Sequence, residues 1–367
     1  MTDRIKSMAS RWTVAVPVLA VVLLALTWGR DLPGGIVVLV TLVLAGAVLA
    51  AVHHAEVVAH RVGEPFGSLV LAVAVTVIEV ALIVTLMLDG GDKSATLARD
   101  TVFAAVMITC NGIVGISLLV GSLRHKTAVF NSEGTGAALA TVTTLATLSL
   151  VLPTFTTSKP GPEFSTVQLT FAAVASLSLY GLFVATQTVR HRDYFLPVAK
   201  QGEPSKPEAE HAEAPSTRTA LISAGLLLLA LIGVVGLAKG VSPTIESGVE
   251  AAGLGHGVVG VIIALLVLLP ETIAAVRAAR RNHVQTSMNL ALGSAMASIG
   301  LTIPAVALAS LWLPGALVLG LGNTHMVLLA LTVVVSALTV VPGRATPLQG
   351  GVHLVLLAAY LELAINP

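Results

Sequence analysis

The chain has 367 residues, 55% of them hydrophobic and 11% charged, with a mean hydropathy of +0.93 and a formal net charge of +1. Soluble domains carry roughly 25% charged residues, so the composition excludes one and places the chain in a bilayer. Near-neutral charge with no basic tract interleaved with aromatics excludes a nucleic-acid partner, and the single cysteine, Cys110, excludes an intrachain disulfide framework.

Eleven segments are long and apolar enough to cross a hydrocarbon core of about 30 Å. In chain order they run Trp12–Trp28, Gly34–Val52, Gly67–Leu88, Thr101–Leu123, Gly134–Leu152, Thr166–Val189, Thr219–Ala238, Gly257–Val276, Met288–Leu311, Asn323–Val341 and Gly350–Ile365. None alternates with a period of two, so the prediction is an all-α integral membrane protein of about 11 transmembrane helices rather than a barrel. The first segment follows Arg4, Lys6 and Arg11 as a signal peptide would, but no small-x-small cleavage site comes after it. Residues 1–33 are therefore read as an extra N-terminal helix.

The stretch from Arg190 to Arg218 is rich in Pro, Glu, Ala and Lys and reads as a cytoplasmic linker without a core of its own. It divides residues 34–189 from residues 219–367, five spans from five, and an odd number of spans reverses the second half. Two inverted five-helix repeats are the expected arrangement. With the N-terminus in the cytoplasm, fifteen of the 20 Lys and Arg fall on that side, which predicts an external C-terminus.

Two isolated acids lie near the middle of apolar spans, Glu79 and Glu271, each in the second span of its half. A carboxylate at the bilayer centre costs about 2.5–3.5 kcal/mol even on a lenient scale, so it faces a bundle interior or a water-filled path. Ser68, Thr76 and Glu79 share a helix face. Pro270 has no N–H for the carbonyl of Leu266, which predicts a kink and a freed oxygen beside Glu271. Ser287, Ser294 and Ser298 repeat at helical spacing in the next span, while Thr109 and Asn111 reach similar depth in the fourth, where Gly112 and Gly115 allow close helix approach. Together the acids carry a charge of minus two when ionised, which matches one Ca²⁺ or two protons. All ten His are placed at span ends, loops or the linker, which disfavours a zinc site or an intramembrane protease. The cluster His53, His54 and His60 is a candidate for cytoplasmic pH sensing.

These residues resemble a family. The run GEPFGSLVLAVAVTVIEV is similar to the first alpha-repeat (63–88) of the cation/proton exchanger (CAX) branch of the Ca²⁺/cation antiporter superfamily. The run PETIAAVRAARRNHVQTSMNLALGSAMASIGLTIP resembles the second (267–304), and GISLLVGSLRHKTAVFN, Gly115 to Asn131, fits the same pattern. The similarity is nearest to bacterial ChaA-type Ca²⁺/H⁺ antiporters, a group also associated with Na⁺/H⁺ and K⁺/H⁺ exchange. It implies Glu79 and Glu271 as shared cation and proton ligands, with Thr76, Asn111, Ser294 and Ser298 beside them. Carbonyl oxygens at Val75 and Val267 would complete the shell, and Pro270, Gly67, Gly293 and Glu64 would serve as helix breaks or gates. The family's usual Gly-Asn before the acid is replaced by Val75-Thr76 and Val267-Leu268, and its usual Gln after Gly-Ser is Ala297. Fewer side-chain oxygens remain, which leaves room for Na⁺ or K⁺.

The expected activity is secondary antiport: cytoplasmic Ca²⁺ leaves as protons enter, by alternating access in a bacterial inner membrane. The alternative is Na⁺(K⁺)/H⁺ antiport on the same fold. No cofactor is expected beyond the transported ions. A passive channel would use the same acids without proton counterflow, and an intramembrane enzyme would need a base that Ser294 lacks.

Overall fold

The computed structural model describes residues 2–30, 32–63, 66–89, 95–198, 215–255, 257–312 and 315–366. The helices are α1 (Thr2–Thr27), α2 (Gly34–Val62), α3 (Phe66–Asp89), α4 (Leu97–Met107), α5 (Val114–His125), α6 (Ser132–Ala146), α7 (Leu152–Phe155), α8 (Thr166–Ala185), α9 (Thr217–Ala251), α10 (Gly257–Val267), α11 (Leu269–Arg280), α12 (Val284–Ala309), α13 (Asn323–Val340) and α14 (Pro347–Ile365). A π-helical segment, Ile108–Ile113, joins α4 to α5, and another, Thr147–Val151, joins α6 to α7.

Each of the eleven predicted segments falls on helix. Among the described residues, eight helices are long and apolar enough to cross a membrane, and the bent pair α10–α11 makes a ninth. Two shorter apolar runs, Trp12–Thr27 and Ala72–Thr85, lie where the first and third spans were expected. Only one strand pair is found among the described residues: β1 (Ala128–Val129) and β2 (Arg344–Ala345) run antiparallel, with Ala128 opposite Ala345.

By contact the chain forms two compact units, which cut across the two halves drawn from the sequence. The first holds Met1–Leu86 with Lys206–Gly253, and the second Met87–Ser205 with Leu254–Pro367. In the first, α1 and α2 pack on α9. A Cβ on Gly233 would fall 2.8 Å from that of Ala20, so glycine is what lets α1 lie against α9.

In the second unit α12 packs against α6, α8 and α11, while α14 lies on α5 and α10 on α4. The most apolar 18 residues of Leu97–His125 are 83% buried and form an inner helix, whereas those of Thr166–Arg190 are 22% buried and present apolar side chains outward. The α5–α14 crossing is backbone to backbone. A Cβ on Gly350 would sit 2.6 Å from the amide nitrogen of Leu119, and one on Gly115 would sit 3.1 Å from the Gly350 oxygen.

The first residues of the expected linker depart from the sequence reading. A 3₁₀ turn, Arg192–Phe195, docks on the unit: Phe195 is buried with its ring 5.6 Å from that of Phe183, and Asn289 of α12 donates its amide to the Phe195 carbonyl at 2.6 Å. One aromatic among many polar residues was enough to give this stretch a core contact. Residues 199–214 lie outside the described residues.

Candidate functional site

On α3 the burial pattern follows the helical period. Val75, Thr76, Ile78, Glu79, Leu82 and Ile83 are buried, while Val73 and Val77 are over 40% exposed. Glu79 thus lies on the inward face of a helix whose other face suits lipid. Thr76 precedes it by one turn, and its hydroxyl is buried with no hydrogen-bond partner. A helical threonine hydroxyl commonly bonds back to a carbonyl one turn earlier, as Thr109 in the segment after α4 does to Ala105 at 2.7 Å. Gly67 lies in the first turn of α3. Glu64 falls outside the described residues, and so does the Ser68 side chain.

In the second unit the expected kink at Pro270 is a full break. Helix α10 ends at Val267, Leu268 adopts φ −85° and ψ 0°, and α11 leaves at 54° to α10. Proline suits the first turn of a helix, where its missing N–H costs nothing. The break places Glu271 in the first turn of α11, half-buried, where the positive end of the helix dipole favours a carboxylate. Val267 is buried at the end of α10.

Helix α12 runs beside α11, tied by Ser287, whose hydroxyl donates to the Ala275 carbonyl at 2.6 Å. That bond gives Ser287 a packing role. Further along, Gly293 and Ser294 are half-buried between the buried Leu292 and Ala295, and a Cβ on Gly293 would meet nothing within 4 Å. Ser298 is buried one turn on. The stripe continues at Thr302, four residues later, whose hydroxyl is buried without a partner. Sequence reasoning stopped at Ser298, although the i, i+4, i+8 spacing of Ser294, Ser298 and Thr302 was there to be read.

Asn111 is drawn elsewhere. It lies in the π-helical segment, fully buried, and its Nδ2 donates to Thr332 of α13 at 2.9 Å while its Oδ1 accepts from Nδ1 of His353 in α14 at 3.1 Å. Helix α14 begins at Pro347, behind a Thr346–Gln349 capping box, so it takes in residues ahead of the Gly350 start expected from hydropathy. His353 is therefore buried inside a helix, and the placement of every His at an end, loop or linker is corrected. His54 is likewise buried in α2, where its Nε2 donates to the Thr13 carbonyl at 2.9 Å. His53, whose ring lies 5.4 Å from that of His54, and His60 are exposed. The three do not form one water-facing cluster. Among the described residues no group of three or more His, Cys, Asp or Glu is placed to hold a metal.

An all-helical membrane protein with one intramembrane acid on each of two apolar elements, one of them at a helix break, belongs to the class of ion transporters. Residues 32–189 and 222–366 match the family model described as sodium/calcium exchanger protein. The chain is 48% identical over 359 residues to the putative ionic transporter y4hA of Sinorhizobium fredii, covering 97% of this chain and 96% of that one. It is 35% identical over 363 residues to the sodium-potassium/proton antiporter ChaA of Escherichia coli, covering 98% and 97%. Among solved structures, native YfkE superimposes with a TM-score of 0.70 at 17% identity over 97% of this chain and 99% of that one. The H⁺/Ca²⁺ exchanger CAX does so with 0.69 at 14% identity over 98% and 88%.

The chain belongs to the sodium/calcium exchanger family. It is an integral membrane cation antiporter, and the likeness to the cation/proton exchanger branch drawn from its motifs is borne out.

Proposed function

We propose that the chain exchanges cytoplasmic Na⁺ or K⁺ for external protons across a bacterial inner membrane, with its N-terminus in the cytoplasm. Glu79 and Glu271 serve one cycle as alternating cation and proton carriers. The cation displaces protons from the carboxylates on one side, the helices rearrange, and protons displace the cation on the other. The observation that carries the reading is the break before Glu271, which sets an acid at a helix N-terminus in mid-span. Thr76 and the Val75 carbonyl are the proposed oxygen donors on the element of Glu79, and Ser294, Ser298 and the Val267 carbonyl those in the unit of Glu271.

The preference for monovalent cargo comes from Asn111. Ca²⁺ takes about six to eight oxygens, and the amide that would supply one is bound to Thr332 and His353. The likeness to a sodium-potassium/proton antiporter of Escherichia coli supports the same choice. Ca²⁺/H⁺ exchange is the second reading, favoured by the doubly negative acid pair and by the likeness to an antiporter of that name from Aphanothece halophytica, 25% identical over 280 residues.

Everted vesicles carrying a pH gradient test the reading. Adding Na⁺ or K⁺ should release protons more strongly than adding Ca²⁺, and Glu79→Gln or Glu271→Gln should abolish the release while leaving the protein inserted. Undiminished exchange in either variant would remove that acid from the cycle.

A further inference from the structure

His353 is a fully buried ionisable side chain that the exchange cycle above does not use. Its surroundings account for every polar atom. Nδ1 donates to Asn111 Oδ1 at 3.1 Å, and Nε2 accepts from the Thr339 hydroxyl at 3.2 Å. Asn111 Nδ2 spends its hydrogens on Thr332 Oγ1 at 2.9 Å and toward Met107 Sδ at 3.8 Å, and Thr332 donates on to the same sulfur at 3.6 Å. This pattern assigns a neutral imidazole protonated on Nδ1, since that form satisfies each group with no charge in the apolar interior. Both His353 nitrogens are engaged, so the ring cannot turn without orphaning a buried group.

The place of the network matters as much as its bonds. Asn111 sits in the π-helical segment Ile108–Ile113, where one extra residue in the turn shifts the side chains that follow. Its carboxamide is taken up by α13 and α14. Helix α12, which carries Ser294, Ser298 and Thr302, packs on the same segment. A neutral amide oxygen, the kind of ligand a hard divalent cation collects, is thus held by a histidine instead of being offered to cargo.

We propose that His353 is a positioning residue that sets cation preference: by gripping Asn111 against α13 and α14 it withholds one oxygen ligand and tilts exchange from Ca²⁺ toward Na⁺ and K⁺. The inference rests on the antiport reading above. Releasing the amide adds a donor, and the gain is largest for the ion that needs the most oxygens.

The test uses the full chain in proteoliposomes with an internal pH dye, reading KM and maximal rate for Na⁺, K⁺ and Ca²⁺ separately. His353→Leu should lower the Ca²⁺ KM relative to the Na⁺ KM by about tenfold, more than it changes the maximal rates. His353→Asn, which keeps a donor for Asn111, should hold the original ratio. Asn111→Leu alone should also hold it, and adding Asn111→Leu to His353→Leu should cancel the shift. An unmoved ratio in His353→Leu overturns the proposal, as does a shift that survives in the double variant. A rise of every KM in Asn111→Leu overturns it too, because Asn111 would then be a ligand already. Should His353→Leu fail to insert, His353→Met, which also removes the donor to Asn111 Oδ1, carries the test by the same ratio. No cation-driven proton flux in the unmodified chain overturns the antiport reading and this inference together, whereas flux with an unmoved ratio overturns the inference alone.

Discussion

Thr272 bonds twice to Leu268: its backbone N–H reaches the Leu268 carbonyl at 2.9 Å and its hydroxyl reaches the same oxygen at 2.7 Å. The two bonds staple the first turn of α11 to the break, leaving Leu266 as the carbonyl whose i+4 partner is proline. Pro270→Ala restores that donor. We expect the variant to keep its stability, because proline in a first turn gives up no bond within α11, yet to lose at least about tenfold in exchange as the break straightens. A melting curve in detergent beside a proton-flux assay decides it; a folded variant with full flux would show that the break has no role in transport.

The Thr76 hydroxyl is buried with no partner. Deleting a hydroxyl that bonds to nothing should cost the fold little, because no second group is orphaned. Thr76→Val is therefore expected to keep its melting temperature and raise the cation KM about tenfold, while Thr76→Ser stays near the original. An unchanged KM in Thr76→Val would leave the residue as packing.

Gly350 meets the backbone of α5, with a Cβ position 2.6 Å from the Leu119 nitrogen, and its neighbour Gly351 faces open space. Gly350→Ala should destabilise by about 1–3 kcal/mol through overpacking, and Gly351→Ala should not. Equal melting temperatures for the two would mean that the helices shift apart at no cost.

Asn289 accepts from Gln285 Nε2 at 2.8 Å while donating to the Phe195 carbonyl, so one side chain joins α12 to the segment after α8. Asn289→Leu leaves that carbonyl unpaired, at about 1–3 kcal/mol, and should speed hydrogen exchange and proteolysis at residues 192–196. Unaltered protection there would show that the Phe183–Phe195 contact alone holds the turn.

Much of this was legible in the sequence because apolar length is a strong signal, and so is an acid inside it. Glu79 on a buried face and Pro270 at a break both follow from local chemistry. The fate of Asn111 does not, since its partners Thr332 and His353 lie over two hundred residues away and no local rule joins them. Span borders failed for a simpler reason: hydropathy starts α14 at Gly350, whereas Thr346 and Gln349 cap it earlier and draw His353 inside. Phe195 was hidden by its polar neighbours. Thr302 follows Ser298 at the next i+4 step, so spacing alone marks it.

Ala128 opposite Ala345 is a pairing of only two residues on each side, yet it buckles the loop after α5 to the turn between α13 and α14. Phe130 N–H reaches the Gly343 carbonyl at 3.0 Å and adds a third rung. Two hairpins that would otherwise pivot independently at that end share a single hinge, so a tilt of one must be transmitted to the other.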